Sequence, residues 1–204
     1  MRWCCRGSAG PTFSRSGRWS STRPVTGGDA EGSRLFEEIT SQPEYYQTEA
    51  ERGILERRSA EIVARTGCRE LVELGSGSAS KTGVLIEAML TDGLPARYVP
   101  LDVCESVLRE SGEKLVAEYP GLEVRGAIGD FDLSLARLLD RPANHGRHGA
   151  FLGGTIGNFT PDKGRRFLRD LRNGLRSGDH VLIGLDLVKD ARILEAAHND
   201  AAGA

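Results

Sequence analysis

Residues 48–66 carry apolar positions at Ile54, Leu55, Ile62 and Val63 with charges between them, the spacing of an amphipathic helix that ends at Gly67. Thr48 is its expected N-cap, and Glu49 and Glu51 fall in its positive first turn. Ahead of it, "SRLFEEITSQPEYY" predicts a short helix followed by a turn at Pro43. Past Gly67 the pattern changes to short apolar runs separated by helical periods. Strands are predicted at 70–74, 97–103, 122–130, 149–154 and 179–188. Helices are predicted from Ser80 to Leu90, from Glu105 to Glu118, over "LSLARLL", from the Thr160–Pro161–Asp162 start signal, and after the last strand. This alternation predicts a doubly wound, parallel α/β sheet of Rossmann type, in which ligands bind at the carboxyl ends of the strands.

The first 28 residues do not follow the pattern. They hold five arginines, both tryptophans and no acid, with many Ser, Gly and Pro and no apolar period. They superficially match the composition of a transit peptide but lack the apolar region of a secretory signal. The expectation is a disordered tail, or residues foreign to the folded protein. Three regions follow: residues 1–28, a helical segment at 29–68, and a nucleotide-binding core at 69–204. The 204 residues carry 27 basic and 29 acidic side chains, a net charge of −2. That balance gives no electrostatic case for nucleic acid or an anionic membrane, and no apolar run is long enough to span a bilayer. Cys4, Cys5, Cys68 and Cys104 show no zinc spacing, so no metal is expected and the thiols are read as reduced and cytoplasmic.

The candidate chemistry lies at the ends of the predicted strands. "ELGSGSASKT" puts Gly75 and Gly77 directly after the first strand, where glycine allows a tight turn and close approach of a ligand to the backbone. An ordinary strand-to-helix turn has the same form. The third glycine of the dinucleotide fingerprint is replaced by Ser80, which weighs against NAD. Asp102 ends the second strand 25 residues after Gly77, the place of an acid that accepts from ribose hydroxyls. Asp130 and Phe131 end the third strand and could accept from an adenine amino group and stack on its ring. Lys81 could pair with a ligand carboxylate. Asn158, in "GGTIGNFTP", offers both a donor and an acceptor. In "PEYYQT" the tyrosine hydroxyls could grip a polar substrate. A carboxylate-bearing adenosine ligand without phosphate is S-adenosylmethionine (SAM), and the set suits it better than NAD.

The segments "SRLFEEITSQPEYYQTEAERGILERRSAEI", "LVELGSGSASKT", "YVPLDV", "GDF", "FLGGTIGNFTP" and "GLDLVKD" resemble the SAM-dependent L-histidine Nα-methyltransferases of ergothioneine biosynthesis. The resemblance runs from about residue 29 to residue 203. It implies a class I methyltransferase fold, and methylation of the histidine α-amine three times to give hercynine. It implies cofactor contacts at Gly75, Gly77, Lys81, Asp102, Asp130 and Phe131. Tyr45 and Asn158 would hold the histidine amino-acid group, with no catalytic side chain assigned and no metal. A monomer acting on a small molecule is expected. Two departures stand out. Gly28 occupies the place of an expected substrate-contacting tyrosine, and the family continues past the end of this chain with further strands and an inserted substrate domain. The sheet is therefore expected to be incomplete at its C-terminal edge. Two other readings stay open: a non-catalytic remnant that at most binds SAM, and methylation of a different amino acid.

Overall fold

The computed structural model describes residues 38–42, 44–130, 135, 138–139 and 146–198, together with the pairs 12–13 and 19–20. Those pairs form β1 (Thr12–Phe13) and β2 (Trp19–Ser20), a two-residue antiparallel ladder inside the stretch expected to carry no periodic structure. The predicted turn at Pro43, most of the "LSLARLL" helix and Phe131 fall outside the described residues; Leu135, Leu138 and Leu139 are helical and buried.

Helix α1 (Tyr46–Thr66) begins earlier than the sequence suggested. Its N-cap is Tyr45, while Thr48 lies inside the helix and is buried. The inward row is Thr48, Leu55 and Ser59, with Ile62 and Val63 partly buried beside it. Ile54, which the apolar pattern assigned to the core, is exposed. Ser59 can face inward because its hydroxyl donates to the Leu55 carbonyl one turn back. Gly67 closes the helix with φ +62°, and its N–H donates to the Val63 carbonyl, the left-handed cap that glycine adopts without steric cost.

The sheet is built from β3 (Cys68–Leu74), β4 (Ala96–Asp102), β5 (Leu122–Val124), β6 (Ala127–Ile128), β7 (Gly146–Phe151) and β8 (His180–Ile183). Its order is β5-β4-β3-β7-β8, with β6 also on β4, and every pairing is parallel. Successive strands run outward from β3 to one side and then, from β7, to the other. The switch point lies between β3 and β7, where a crevice opens at the strand ends. The third predicted strand is not continuous. It breaks at Arg125–Gly126, where a Cβ on Gly126 would sit 2.3 Å from Leu108 Cδ2. β7 starts earlier than predicted, taking in Arg147 and His148, and β8 is four residues long, not ten.

Helices α1, α2 (Gly83–Leu90) and α3 (Glu105–Glu118) cover one sheet face, where Leu71, Tyr98, Leu55, Ile86, Met89 and Leu115 form a core. Against the other face α4 (Pro161–Gly174) packs Phe167 and Leu171 onto Val72, Leu101 and Phe151. Full burial of each such side chain contributes roughly 1.5–3 kcal/mol. The predicted start of α4 is observed: Pro161 follows the N-cap Thr160, whose hydroxyl accepts from Lys163 N at 3.3 Å. A further helix, α5 (Ala191–His198), follows β8. Among the described strands β8 is one edge of the sheet, and Val181 in it and Leu185 and Leu187 just past it are exposed.

Candidate active site

The loop after β3 turns through two left-handed glycines, Gly75 (φ +70°) and Gly77 (φ +49°), and then Ala79 (φ +56°). Ala79 is the one non-glycine residue with positive φ among those described, a conformation that costs an L-residue roughly 1–2 kcal/mol. The turn is held by β4. Gly75 N and Ser76 N both donate to the Leu101 carbonyl, and Gly77 N donates to Asp102 Oδ2 at 2.9 Å. Asp102 Oδ1 accepts from Cys104 N at 2.9 Å, at the start of α3. Each Asp102 oxygen therefore uses one lone pair on a backbone N–H and has another with which it can accept.

Tyr45, Gln47, Lys81, Gly153 and Thr155 line the same crevice as the glycine turn. Residues from both halves of the sheet and from the N-terminal helical segment thus meet at the switch point. Desolvation, and then the neighbouring Glu51 carboxylate, push the Tyr45 hydroxyl up from its ordinary value. Asp130 lies at the end of β6 and is exposed. Asn158 ends a short 3-10 turn (Thr155–Asn158) and is exposed; the structure does not bring it into the crevice lining with Tyr45.

Sequence reasoning missed three groups. The first is Glu51. It lies in the second turn of α1, not in the first as expected, and its carboxylate accepts from Lys81 Nζ at 2.5 Å and from Gly153 N at 2.9 Å. Its place on the same helical row as buried Thr48 and Leu55 is the signal that could have found it. The second is Glu73 on β3, whose carboxyl group receives hydrogen bonds from Thr82 Oγ1 at 2.8 and 2.9 Å and from the Tyr98 hydroxyl. The third joins the loop after β8 to the start of α1. Asp186 accepts from Tyr46 Oη and Lys189 Nζ, and Lys189 Nζ also lies 2.7 Å from Tyr46 Oη and over its ring. Desolvation opposes ionisation of Asp186, but hydrogen bonds from Lys189 and Tyr46 hold its carboxyl down at about 2.

Burial pushes Glu73 up to about 7, and the hydrogen bonds from Tyr98 and Thr82 offset only part of that. Between its ordinary 4.5 and 7 the folded protein keeps a proton that the unfolded chain has released. The stabilisation is complete below the lower value and is lost as pH rises through the upper one, a change of up to about 3 kcal/mol. Glu73→Gln should flatten this slope. Urea midpoints of both proteins at about pH 5 and pH 8 check it; parallel pH dependence in the two would place the titration elsewhere.

Comparison with known proteins identifies the lineage. The profile of the family described as "Histidine-specific methyltransferase, SAM-dependent" matches residues 26–204. The chain belongs to this family. It is 48% identical over 175 residues to the histidine N-alpha-methyltransferase of Mycolicibacterium smegmatis, covering 86% of this chain and 54% of that protein. It is 44% identical, with the same coverage, to the protein of the same name from Mycobacterium tuberculosis. The chain thus spans about half the length of these curated relatives. Among solved structures, a DUF574-family protein from Streptomyces avermitilis superposes with a TM-score of 0.58 at 17% identity, over 84% of this chain and 78% of that one. The fold is that of class I SAM-dependent methyltransferases, as the family resemblance implied, built on the parallel sheet that the strand alternation predicted.

The crevice fits the family's cofactor in chemistry. It offers a backbone turn open to close approach and a cation at Lys81, and behind the turn Asp102 adds an acceptor pair bonded to Gly77 N and Cys104 N. Among the described residues no cluster of three or more His, Cys, Asp or Glu is arranged to hold a metal ion, and no helix is long and apolar enough to cross a membrane.

Proposed function

We propose that this protein takes part in transfer of methyl groups from SAM to the α-amine of L-histidine, giving Nα-trimethylated histidine in ergothioneine biosynthesis. The observation that carries the reading is the meeting of Tyr45, Lys81 and the Asp102-anchored glycine turn in one crevice at the switch point of a histidine-specific methyltransferase chain. Bound SAM supplies an electrophilic methyl group on sulfur. Asp102 accepts from its ribose hydroxyls, Asp130 and Phe131 take the adenine, and Gly75, Gly77 and Lys81 receive its amino-acid end. Tyr45 and Asn158 hold the amino-acid group of histidine, with the 29–68 segment supplying part of the substrate site. The nitrogen must present a lone pair, so the work of these residues is to orient a neutral amine toward the methyl carbon. No protein nucleophile or metal is required by this chemistry. The protein acts as a cytoplasmic monomer on a small molecule.

The test is calorimetric titration of the chain with S-adenosylhomocysteine, with NAD as control, followed by a histidine turnover assay. Saturable binding of the first ligand alone supports the cofactor site. Methylated histidine then supports the reaction. Binding without turnover would leave a SAM-binding chain that is not itself the catalyst, and NAD binding would overturn the cofactor assignment.

A further inference from the structure

Glu51 is a charged side chain on the inward-facing row of α1, beside Thr48 and Leu55. Its side chain is 14% exposed and that of Lys81 18%. The carboxylate reaches from α1 across the mouth of the sheet. It joins Lys81, in the turn after β3, to the Gly153 N–H after β7, and so spans the switch point. The backbone is shaped around it. A Cβ on Gly184, just past β8, would stand 2.0 Å from Glu51 Oε1, so a side chain there would push the carboxylate out of its present position. Tyr45 and Glu73 both feel its charge. Lys81 in the crevice lining and Glu51 beside it are thus a cation and an anion in contact, both mostly buried, and each would lose its charge partner without the other.

An α-amino acid carries the complementary pair, a carboxylate and an ammonium on one carbon. We propose that Glu51 accepts from the ammonium of the cofactor's amino-acid end while Lys81 pairs with its carboxylate, so that Glu51 and Lys81 exchange each other for the two charges of the ligand. This inference rests on the SAM reading above and adds to it a specificity-determining residue. Charge in the crevice is balanced before and after binding. A ligand bearing only one of the two groups breaks the pair and leaves one charge of the crevice unmatched. The clamp therefore selects for a zwitterion. It faces the cofactor and not the histidine amine, because a carboxylate against the reacting nitrogen would favour its protonated, unreactive form.

The experiment is calorimetry on the wild-type chain, Glu51→Gln and Lys81→Met. The probes are S-adenosylhomocysteine, 5′-methylthioadenosine, which lacks the amino-acid end, and the decarboxylated homologue, which keeps only the amine. Glu51→Gln should weaken S-adenosylhomocysteine about tenfold, the scale of one charge-assisted hydrogen bond, and leave 5′-methylthioadenosine unchanged. The decarboxylated ligand should be weakened by Glu51→Gln and bound no more weakly by Lys81→Met. Equal weakening of S-adenosylhomocysteine and 5′-methylthioadenosine by Glu51→Gln would reduce Glu51 to a brace for the Gly153 turn and overturn the proposal. So would an unchanged S-adenosylhomocysteine affinity, or a penalty that falls on L-histidine alone. If the wild-type chain binds neither adenosine ligand, the SAM reading itself fails and takes the clamp with it; binding of 5′-methylthioadenosine with the wrong variant pattern fails the clamp only.

Discussion

Asp102→Ala is expected to lower the affinity for S-adenosylhomocysteine by about a hundredfold or more while leaving helix content intact. The carboxylate does two jobs at once. It holds the glycine turn through Gly77 N and the start of α3 through Cys104 N, and in the proposed complex its remaining lone pairs accept from two ribose hydroxyls. Hydrogen bonds to a charged group contribute ~1.5–3 kcal/mol each, and each 1.4 kcal/mol is a factor of about ten. Loss of both ribose bonds and a loosened turn therefore reaches two decades or more. The structural cost is smaller: Gly77 is half-buried, so water can replace the carboxylate at its N–H, and only the N–H of buried Cys104 is left short of a partner. Asp102→Asn should fall between, since the amide keeps one acceptor and places a donor against a backbone N–H. Calorimetry and circular dichroism on the same samples separate the two effects. Unchanged affinity in the alanine variant would sink the ribose assignment.

The order of elements was legible because the central strands of this sheet are buried on both faces and so stand out as compact, largely apolar runs. β3 reads "CRELVEL", and apart from Arg69 it is buried from end to end. The glycine turn and Asp102 were legible for a related reason. Their function depends on backbone geometry at a strand end, which sequence spacing preserves. What was not legible is the polar interior. β7 was expected to begin at Gly149, which left Arg147 and His148 outside it. In the fold Arg147 is matched by Glu70, 77 positions earlier, and no local pattern could report that partner. Glu51 and Glu73 were obscured in the same way. A carboxylate on a helix or beside a strand is by default a solvated group, and only the contacts with Lys81, Gly153, Thr82 and Tyr98 distinguish these two. The misassigned helix start has a separate cause. Thr48 is a good N-cap by type, but the helix extends back to Tyr46, and the threonine is buried against the crevice instead.

Arg147→Ala is expected to destabilise the fold by about 3–5 kcal/mol, the cost of stripping one partner from a buried ion pair. The Arg147 side chain is 1% exposed, and its guanidinium donates to Glu70 Oε1 at 2.7 Å and to the Leu139 carbonyl at 2.6 Å. Glu70 is shared: its other oxygen accepts from Arg97 Nη1 at 2.8 Å, and Arg97 also bonds Glu123. Removing Arg147 thus leaves a carboxylate that Arg97 still satisfies in part, and takes the guanidinium donor away from the Leu139 carbonyl. Arg97→Ala should cost less, about 1 kcal/mol, because that side chain is 30% exposed and water can take its place. A small domain has only 5–15 kcal/mol in total, so the Arg147 variant should show a large fall in urea midpoint. Arg147 stands near the start of β7, whereas the crevice lies beyond that strand's other end. The folded fraction should therefore bind S-adenosylhomocysteine as tightly as the wild type. This is the inverse of the Asp102 result, in which affinity falls and stability largely holds. A midpoint for Arg147→Ala within that of Arg97→Ala would mean that the network is hydrated and that Arg147 is not its anchor.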